Sequence, residues 1–284
     1  MPHAALIVNP FASRVTETRL AALVRVLAID EVLHTERPGH ARELAERLGA
    51  ATIFVFGGDG TFNEALNGAD PGATLAFLPG GGTNVLPRAL GLPRDPVEAA
   101  RRLATGSPRR ISLGRVNGRR FAFAAGVGLD AELLRRAGRS RRGRRRSDLG
   151  TLWAALGLLA ERRGRFEPAL EIRGLGEAAF ALVANADPYT YIGRLPLHVA
   201  RGTRLEAGLD LVAPRRLGPR DYPAAVRYLL TGSSGLELVR ATDLDRIEVA
   251  CREPMPLQAD GEDLGDVTEA VFEAERDAVS VLVG

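Results

Sequence analysis

Along the first hundred residues, short apolar runs alternate with stretches whose apolar positions recur every three or four residues. Ala4 to Val8, Glu31 to Thr35, Thr52 to Phe56 and Thr74 to Leu78 read as strands. Between them, Leu20, Leu23, Val24 and Leu27 mark one helix, and Ala41, Leu44, Ala45 and Leu48 a second. A further helix is predicted from Pro96 to Thr105. Strands alternating with helices argue for a parallel α/β sheet. Ligands of such sheets sit at the carboxyl ends of the strands. Four loops fall there: Asn9 to Ser13, the residues after Thr35, Gly57 to Gly60, and Pro79 to Asn84.

Beyond about residue 110 the pattern changes. Asn117-Gly118 between short apolar stretches is a hairpin signal. Strands are predicted at Ala169–Ile172, Ala178–Ala184, Leu195–Ala200, Leu209–Val212, Ile247–Cys251, Pro256–Ala259, Ala270–Ala274 and Ala278–Val283. That density implies an antiparallel β domain, read as a sandwich, interrupted by helices at Leu149–Arg163 and Pro219–Leu230. The expected division is an α/β domain over 1–110 and a β domain over 111–284, the last strand being free to return to the first domain.

The chain of 284 residues is long enough for two cores, and 45% apolar with 26% charged residues is ordinary for a soluble globular protein. A single cysteine, Cys251, excludes an intrachain disulfide and a cysteine-based zinc site, and four scattered histidines offer no metal-ligand spacing. The N-terminus lacks the charged region of a signal peptide, and the longest apolar segment, Leu149 to Ala160, is too short to span a bilayer. A cytoplasmic protein is expected. All 38 basic residues are arginine, a usage bias that weakens any inference from the net charge of +3. Eight arginines lie within Arg135 to Arg146. They read either as a solvated charged loop or as a peripheral contact with the inner face of an anionic membrane. No nucleic-acid partner is expected, and a homodimer is compatible with the sequence.

The third strand runs into Gly57-Gly58-Asp59-Gly60-Thr61-Phe62-Asn63-Glu64, with Ala65, Leu66, Asn67 and Gly68 continuing. Strand, glycine turn and helix start together present backbone N–H groups to phosphate. A carboxylate at Asp59 would repel phosphate unless a divalent cation lies between them or a proton has to be taken. The plain alternative, a Gly-Asp-Gly turn, leaves the following Asn63-Glu64 unexplained.

Six motifs in order over nearly the whole chain resemble the diacylglycerol kinase catalytic family of lipid kinases, relatives of sphingosine and ceramide kinases. They are Asn9-Pro10-Phe11-Ala12-Ser13; Thr35 with Gly39-His40-Ala41; the stretch at Gly57 to Gly68; Pro79-Gly80-Gly81-Gly82-Thr83-Asn84 with Arg88 and Gly91-Leu92-Pro93; Gly126-Val127-Gly128-Leu129-Asp130-Ala131; and Asp260-Gly261-Glu262, preceded by Gln258. The resemblance implies a phosphofructokinase-like α/β domain followed by an antiparallel β-sandwich. It also implies an ATP- and Mg²⁺-dependent transfer of phosphate to the hydroxyl of diacylglycerol or a similar lipid. In that reading the backbone of Gly57, Gly58, Gly60, Thr61, Gly81 and Gly82 cradles phosphate. Asn9, Pro10, Ser13, Thr35, Asn63, Glu64, Thr83 and Asn84 complete the nucleotide site, and Asp59 holds Mg²⁺. Glu262 is the base for the acceptor hydroxyl and Asp130 a supporting carboxylate, so that the active site would be an interdomain cleft. The acyl pocket is expected in the second domain or the cleft. Taken alone, Asp260-Gly261 is an ordinary hairpin turn and Asp130 a helix N-cap.

Three positions depart from the family. Arg14 stands where a loop glycine is usual. Gly82 replaces a small hydroxyl residue, with Thr83 one place later. Ala207-Gly208-Leu209 lacks the aspartate of a structural Mg²⁺ site, although Glu206 and Asp210 lie close in sequence. A NAD kinase shares Gly-Gly-Asp-Gly but carries its Asn-Glu in a separate motif. A degenerate kinase that only binds nucleotide or membrane is the non-enzymatic alternative.

Overall fold

The structure, a computed structural model, describes residues 4–139, 161, 163–192, 194–233 and 235–284. The helix expected over Leu149 to Arg163 falls almost wholly outside these residues, as does the arginine-rich segment beyond Arg139. The chain forms two compact units, Met1–Leu113 with Glu275–Gly284, and Gly114–Ala274.

In the first unit, β1 (Ala4–Val8), β2 (Glu31–His34), β3 (Thr52–Gly57) and β4 (Thr74–Pro79) are parallel, in the order β2-β1-β3-β4. The end of the last strand, β16 (Glu262–Val283), adds a fifth parallel neighbour, Ser280 opposite Thr74. Helices α1 (Glu17–Leu27), α2 (His40–Leu48), α3 (Asp59–Gly68), α4 (Val85–Ala89) and α5 (Pro96–Leu103) connect these strands. The chain leaves β1 toward β2 and returns to β3 on the other side. The topological switch, where ligands of open α/β sheets bind, therefore lies between the carboxyl ends of β1 and β3. The strands are apolar because the sheet is covered on both faces: Leu6, Ile7, Ile53, Phe56, Leu75 and Phe77 are fully buried. Each such side chain contributes roughly 1.5–3 kcal/mol by leaving water. Helix ends follow local chemistry. Thr16 caps α1 through the Arg19 N–H, and Asp95 caps α5 through the Val97 and Glu98 N–H groups, with Pro96 in the first turn.

The second unit is antiparallel. β5 (Ser107–Val116) runs into it and turns at Asn117-Gly118 into β6 (Arg119–Phe121), Val116 pairing with Arg119. Both turn residues have positive φ, 47° and 87°, as a type I′ hairpin requires. Then follow β7 (Ala124–Val127), α6 (Leu129–Arg139), β8 (Leu170–Ile172), β9 (Gly176–Ala178), β10 (Ala181–Ala184), the hairpin β11 (Thr190–Ile192) and β12 (Leu195–Leu197), β13 (Leu209–Pro214), α7 (Tyr222–Thr231), β14 (Leu238–Leu244) and β15 (Arg246–Ala259). Two pairs of expected strands are single long ones. Ile247–Cys251 and Pro256–Ala259 are both β15, and Ala270–Ala274 and Ala278–Val283 are both β16. A register shift between Ala250 and Met255 lets the first half of β15 pair with β8 and its second half with β7. The core gathers Phe121, Phe272, Val183, Leu211 and Leu257.

Candidate active site

In the first unit the loops after β1, β3 and β4 are bonded to one another. The Asn9 N–H donates to the Phe56 carbonyl at 3.0 Å, and the Asn9 amide donates to the Thr61 hydroxyl at 2.9 Å. Gly80 N–H donates to the Gly57 carbonyl at 2.6 Å, and Arg14 N–H donates to the Gly80 carbonyl at 2.8 Å. The glycines divide by role. A Cβ on Gly80 would sit 2.9–3.1 Å from the Gly57 backbone, one on Gly81 2.8 Å from the Gly58 Cα, and one on Gly57 2.7 Å from the Thr61 side chain. These residues are small because two loops press together. A Cβ on Gly60 or Gly82 meets nothing within 4 Å, so these two border open space. Sequence reasoning assigned Gly57, Gly58, Gly60, Gly81 and Gly82 to ligand approach; contact between the two loops accounts for Gly81, and contact with Thr61 for Gly57.

α3 begins at this junction. Its N-cap, Gly58, has no side chain to satisfy the amides of the first turn, whose first intrahelical bond is Phe62 N–H to the Gly58 carbonyl at 3.0 Å. Asp59 Oδ1 accepts the Val85 N–H at 2.6 Å, which ties the start of α3 to the start of α4. Asn84 takes a left-handed φ of 52° and brackets its loop, donating to the Gly81 carbonyl at 2.8 Å and accepting the Gly81 N–H at 2.9 Å. Asn63 is 4% exposed and its Oδ1 accepts from Asn67 at 3.1 Å. Glu64 accepts the Ala41 N–H at 3.2 Å, serving α2, whose own N-cap is Gly39. Thr35 is buried after β2, its N–H on the Val8 carbonyl at 2.8 Å. Pro10, Ser13 and Gly82 are exposed, and Thr83 is half-buried. Arg14 has an ordinary negative φ, and its guanidinium donates to the Arg94 carbonyl at 3.1 Å, so no glycine is needed at this position.

In the second unit Asp260 and Glu262 have opposite environments. Asp260 is buried, and its carboxylate accepts the N–H groups of Ala122, Phe123 and Ala124 at 2.6, 3.0 and 3.1 Å. It anchors the β6–β7 connection. Asp260 and Gly261 both have positive φ, 48° and 78°, and present Glu262 on the far side of the turn. The Glu262 side chain is 56% exposed, with Oε2 accepting from Arg119 at 2.6 Å.

Asp130, at the start of α6, is half-buried, with its carboxyl Oδ1 out of contact with solvent. Its Oδ2 accepts from the Tyr189 hydroxyl and from Gln258 Nε2, the latter at 2.7 Å. Its Oδ1 is buried without a hydrogen-bond partner of good geometry, close over Gly126, where a Cβ would come within 2.4 Å. Burial pushes its carboxyl up to about 6, against the pull of Tyr189, Gln258 and nearby backbone N–H groups. Burial and the Asp130 charge hold the Tyr189 phenol well above its usual value, so it remains a donor. Tyr189 and Arg119 were not anticipated; neither belongs to a motif, and no spacing marks them. Beside α6 lies a cavity of about 400 Å³ whose wall includes Leu129, Phe166, Phe180 and Met255, with Glu132 and Arg135 among its charged residues.

Two expectations are narrowed. Arg135 is clamped by Asp263 and Asp266 at 2.6–2.8 Å, and Arg136 by Glu132 and Glu161 at 2.7 Å each. The first two arginines of the basic segment are thus committed to carboxylates of the protein. At the third departure, Asp210 accepts from the Thr203 hydroxyl at 2.6 Å and the Asp243 N–H at 2.8 Å. Among the described residues no group of three or more His, Cys, Asp or Glu side chains is arranged to hold a metal.

A parallel α/β unit with cross-bonded glycine loops at its switch point has the arrangement in which open α/β sheets can receive a phosphate group. Residues 3–116 match the family model described as the diacylglycerol kinase catalytic domain. It is 37% identical over 147 residues to the diacylglycerol kinase of Bacillus subtilis (strain 168), covering 47% of this chain and 48% of that one. The chain thus spans about half the length of that relative. It is 28% identical over 250 residues to a Pseudomonas aeruginosa protein named "Probable lipid kinase YegS-like", covering 81% and 77% of the two chains. Among solved structures, one from Bacillus anthracis str. Sterne matches with a TM-score of 0.78 and 24% identity, over 100% of this chain and 95% of that one. A diacylglycerol kinase from the same strain matches with a TM-score of 0.72 and 21% identity, over 100% and 97%. At these identities the structural likeness speaks for the fold. No described helix is long and apolar enough to cross a membrane.

Proposed function

We propose that the protein is an ATP- and Mg²⁺-dependent lipid kinase that transfers the γ-phosphate to the hydroxyl of diacylglycerol or a similar lipid. The observation that carries this reading is the junction of glycine loops at the switch point, where Gly60 and Gly82 border open space beside an uncapped helix start. Phosphoryl transfer needs mostly positioning and charge neutralisation. The amides at the start of α3 receive donor phosphate, and the loop bonds hold them in place before it arrives. Asp59 places a carboxylate at this junction. That suits Mg²⁺, which commonly keeps several waters and takes one or two protein carboxylates together with substrate phosphates. When bound, the ion neutralises charge on the transferring phosphate. The acceptor hydroxyl is a weak nucleophile and needs a base. Glu262 is exposed enough to reach one and is oriented by Arg119. Asp130 supports the site from within the second unit, and the apolar residues of the cavity beside α6, Leu129, Phe166, Phe180 and Met255, would face an acyl chain while Arg135 and Arg252 would face a charged or polar headgroup.

Incubation with labelled ATP and Mg²⁺ against diacylglycerol, sphingosine and NAD tests the reading. Label in a lipid is expected. Label in NAD alone, or in none of the three, overturns it.

A further inference from the structure

Gln258 uses both ends of its side-chain amide. Its Oε1 accepts the Gly261 N–H at 2.9 Å, and its Nε2 donates to Asp130 Oδ2 at 2.7 Å and to the Tyr189 oxygen at 3.0 Å. The orientation of this amide follows from chemistry. A backbone N–H only donates, so the end facing Gly261 is the carbonyl oxygen and the end facing Asp130 is the NH₂. The Tyr189 oxygen accepts from that NH₂, which leaves its single proton for Asp130. Donors therefore run in one direction, from the turn that presents Glu262, through Gln258 and Tyr189, onto one oxygen of the Asp130 carboxylate. The other titratable group near Tyr189 is Asp260, on the same turn.

We propose that Tyr189 and Gln258 are positioning residues for phosphoryl transfer, holding the Asp130 carboxylate and the Glu262 turn in one fixed relation. This rests on the kinase reading above. What singles out this network is its route: its bonds tie the Asp130 carboxylate to Gly261, the residue next to Glu262, so that neither can shift without the other. Misplacing a reacting group by about 1 Å through a distant change can cost about a hundredfold in turnover. Both residues lie in the second unit.

The test compares wild type with Tyr189→Phe, using ATP, Mg²⁺ and vesicles containing diacylglycerol. The variant should lose about tenfold or more in kcat with KM for ATP within about twofold. Losing a donor to the ionised carboxylate raises the pKa of Asp130, so the acid limb of the kcat profile should move to higher pH. An activity-independent readout is the carboxyl titration of Asp130 by ¹³C NMR, assigned with Asp130→Asn, which should also move up in the variant. An unmoved titration, or an unchanged kcat and acid limb in an active enzyme, overturns the inference. Absence of lipid phosphorylation by wild type overturns the kinase reading instead, and the titration still decides the positioning claim. If Tyr189→Phe does not fold, Gln258→Met, with the same shifts expected, carries both measurements.

Discussion

The Asn9 side chain reaches across the switch point of the sheet to hold the Thr61 hydroxyl at 2.9 Å. Asn9 directly follows β1 and Thr61 lies in the first turn of α3, so one bond joins the two loops that flank the switch point of the sheet. Thr61→Val keeps the shape and removes the acceptor. It should cost about 1 kcal/mol in thermal stability. If the loops are aligned by this bond, ATP binding measured by calorimetry should weaken as well.

The glycines make opposite predictions. Gly80→Ala places a methyl 2.9 Å from the Gly57 carbonyl oxygen and should destabilise by roughly 1–3 kcal/mol, as overpacking does. Gly82→Ser enters open space and should melt with wild type. If the hydroxyl usual in relatives contacts nucleotide, Gly82→Ser should also bind ATP more tightly.

The two carboxylates of the Asp-Gly-Glu turn should separate cleanly. Glu262→Gln is expected to abolish turnover while the melting temperature and ATP binding stay near wild type. Asp260→Ala should instead fail in stability. It orphans three N–H groups, each costing roughly 1–3 kcal/mol when buried. Melting curves beside turnover assays distinguish the two.

Asp130 predicts a pH dependence of stability. Its carboxyl is raised from 3.8 to about 6 in the folded protein, so the folded state holds a proton that the unfolded chain releases first. Its contribution is fully present below the unfolded pKa near 3.8 and is lost as pH rises through about 6. At roughly 1.36 kcal/mol per pKa unit the loss amounts to about 3 kcal/mol. Melting temperature followed from pH 4 to 7 should show this decline in wild type, superposed on other groups, and a shallower one in Asp130→Asn.

Much of the first unit was legible because its strands are buried on both faces and α1 and α5 carry side-chain caps. Continuous apolar runs and residues such as Thr16 and Asp95 announce both. The second unit was harder. β15 continues through Pro254 and Pro256, residues that usually end a strand, because a register shift releases the ladder there. The site residues named from motifs fall into two groups. Asn9, Asp59 and Thr61 bond across the phosphate loops, whereas Asn63, Glu64 and Asn84 spend side-chain groups on their own scaffold. Tyr189 was invisible because its meaning comes from Asp130, 59 positions away in sequence.

Position 14 shows what cross-bonding of the loops implies for sequence change. The loop after β1 reaches Gly80 through the main-chain N–H of Arg14, a group that every residue except proline supplies. Side-chain identity there is therefore decoupled from loop geometry, and an arginine can replace a glycine without changing how the loop is braced. The braced loops act as a single rigid clasp, and under the proposed kinase reading such a clasp would spare an incoming nucleotide much of the ordering entropy that a set of independent loops would demand.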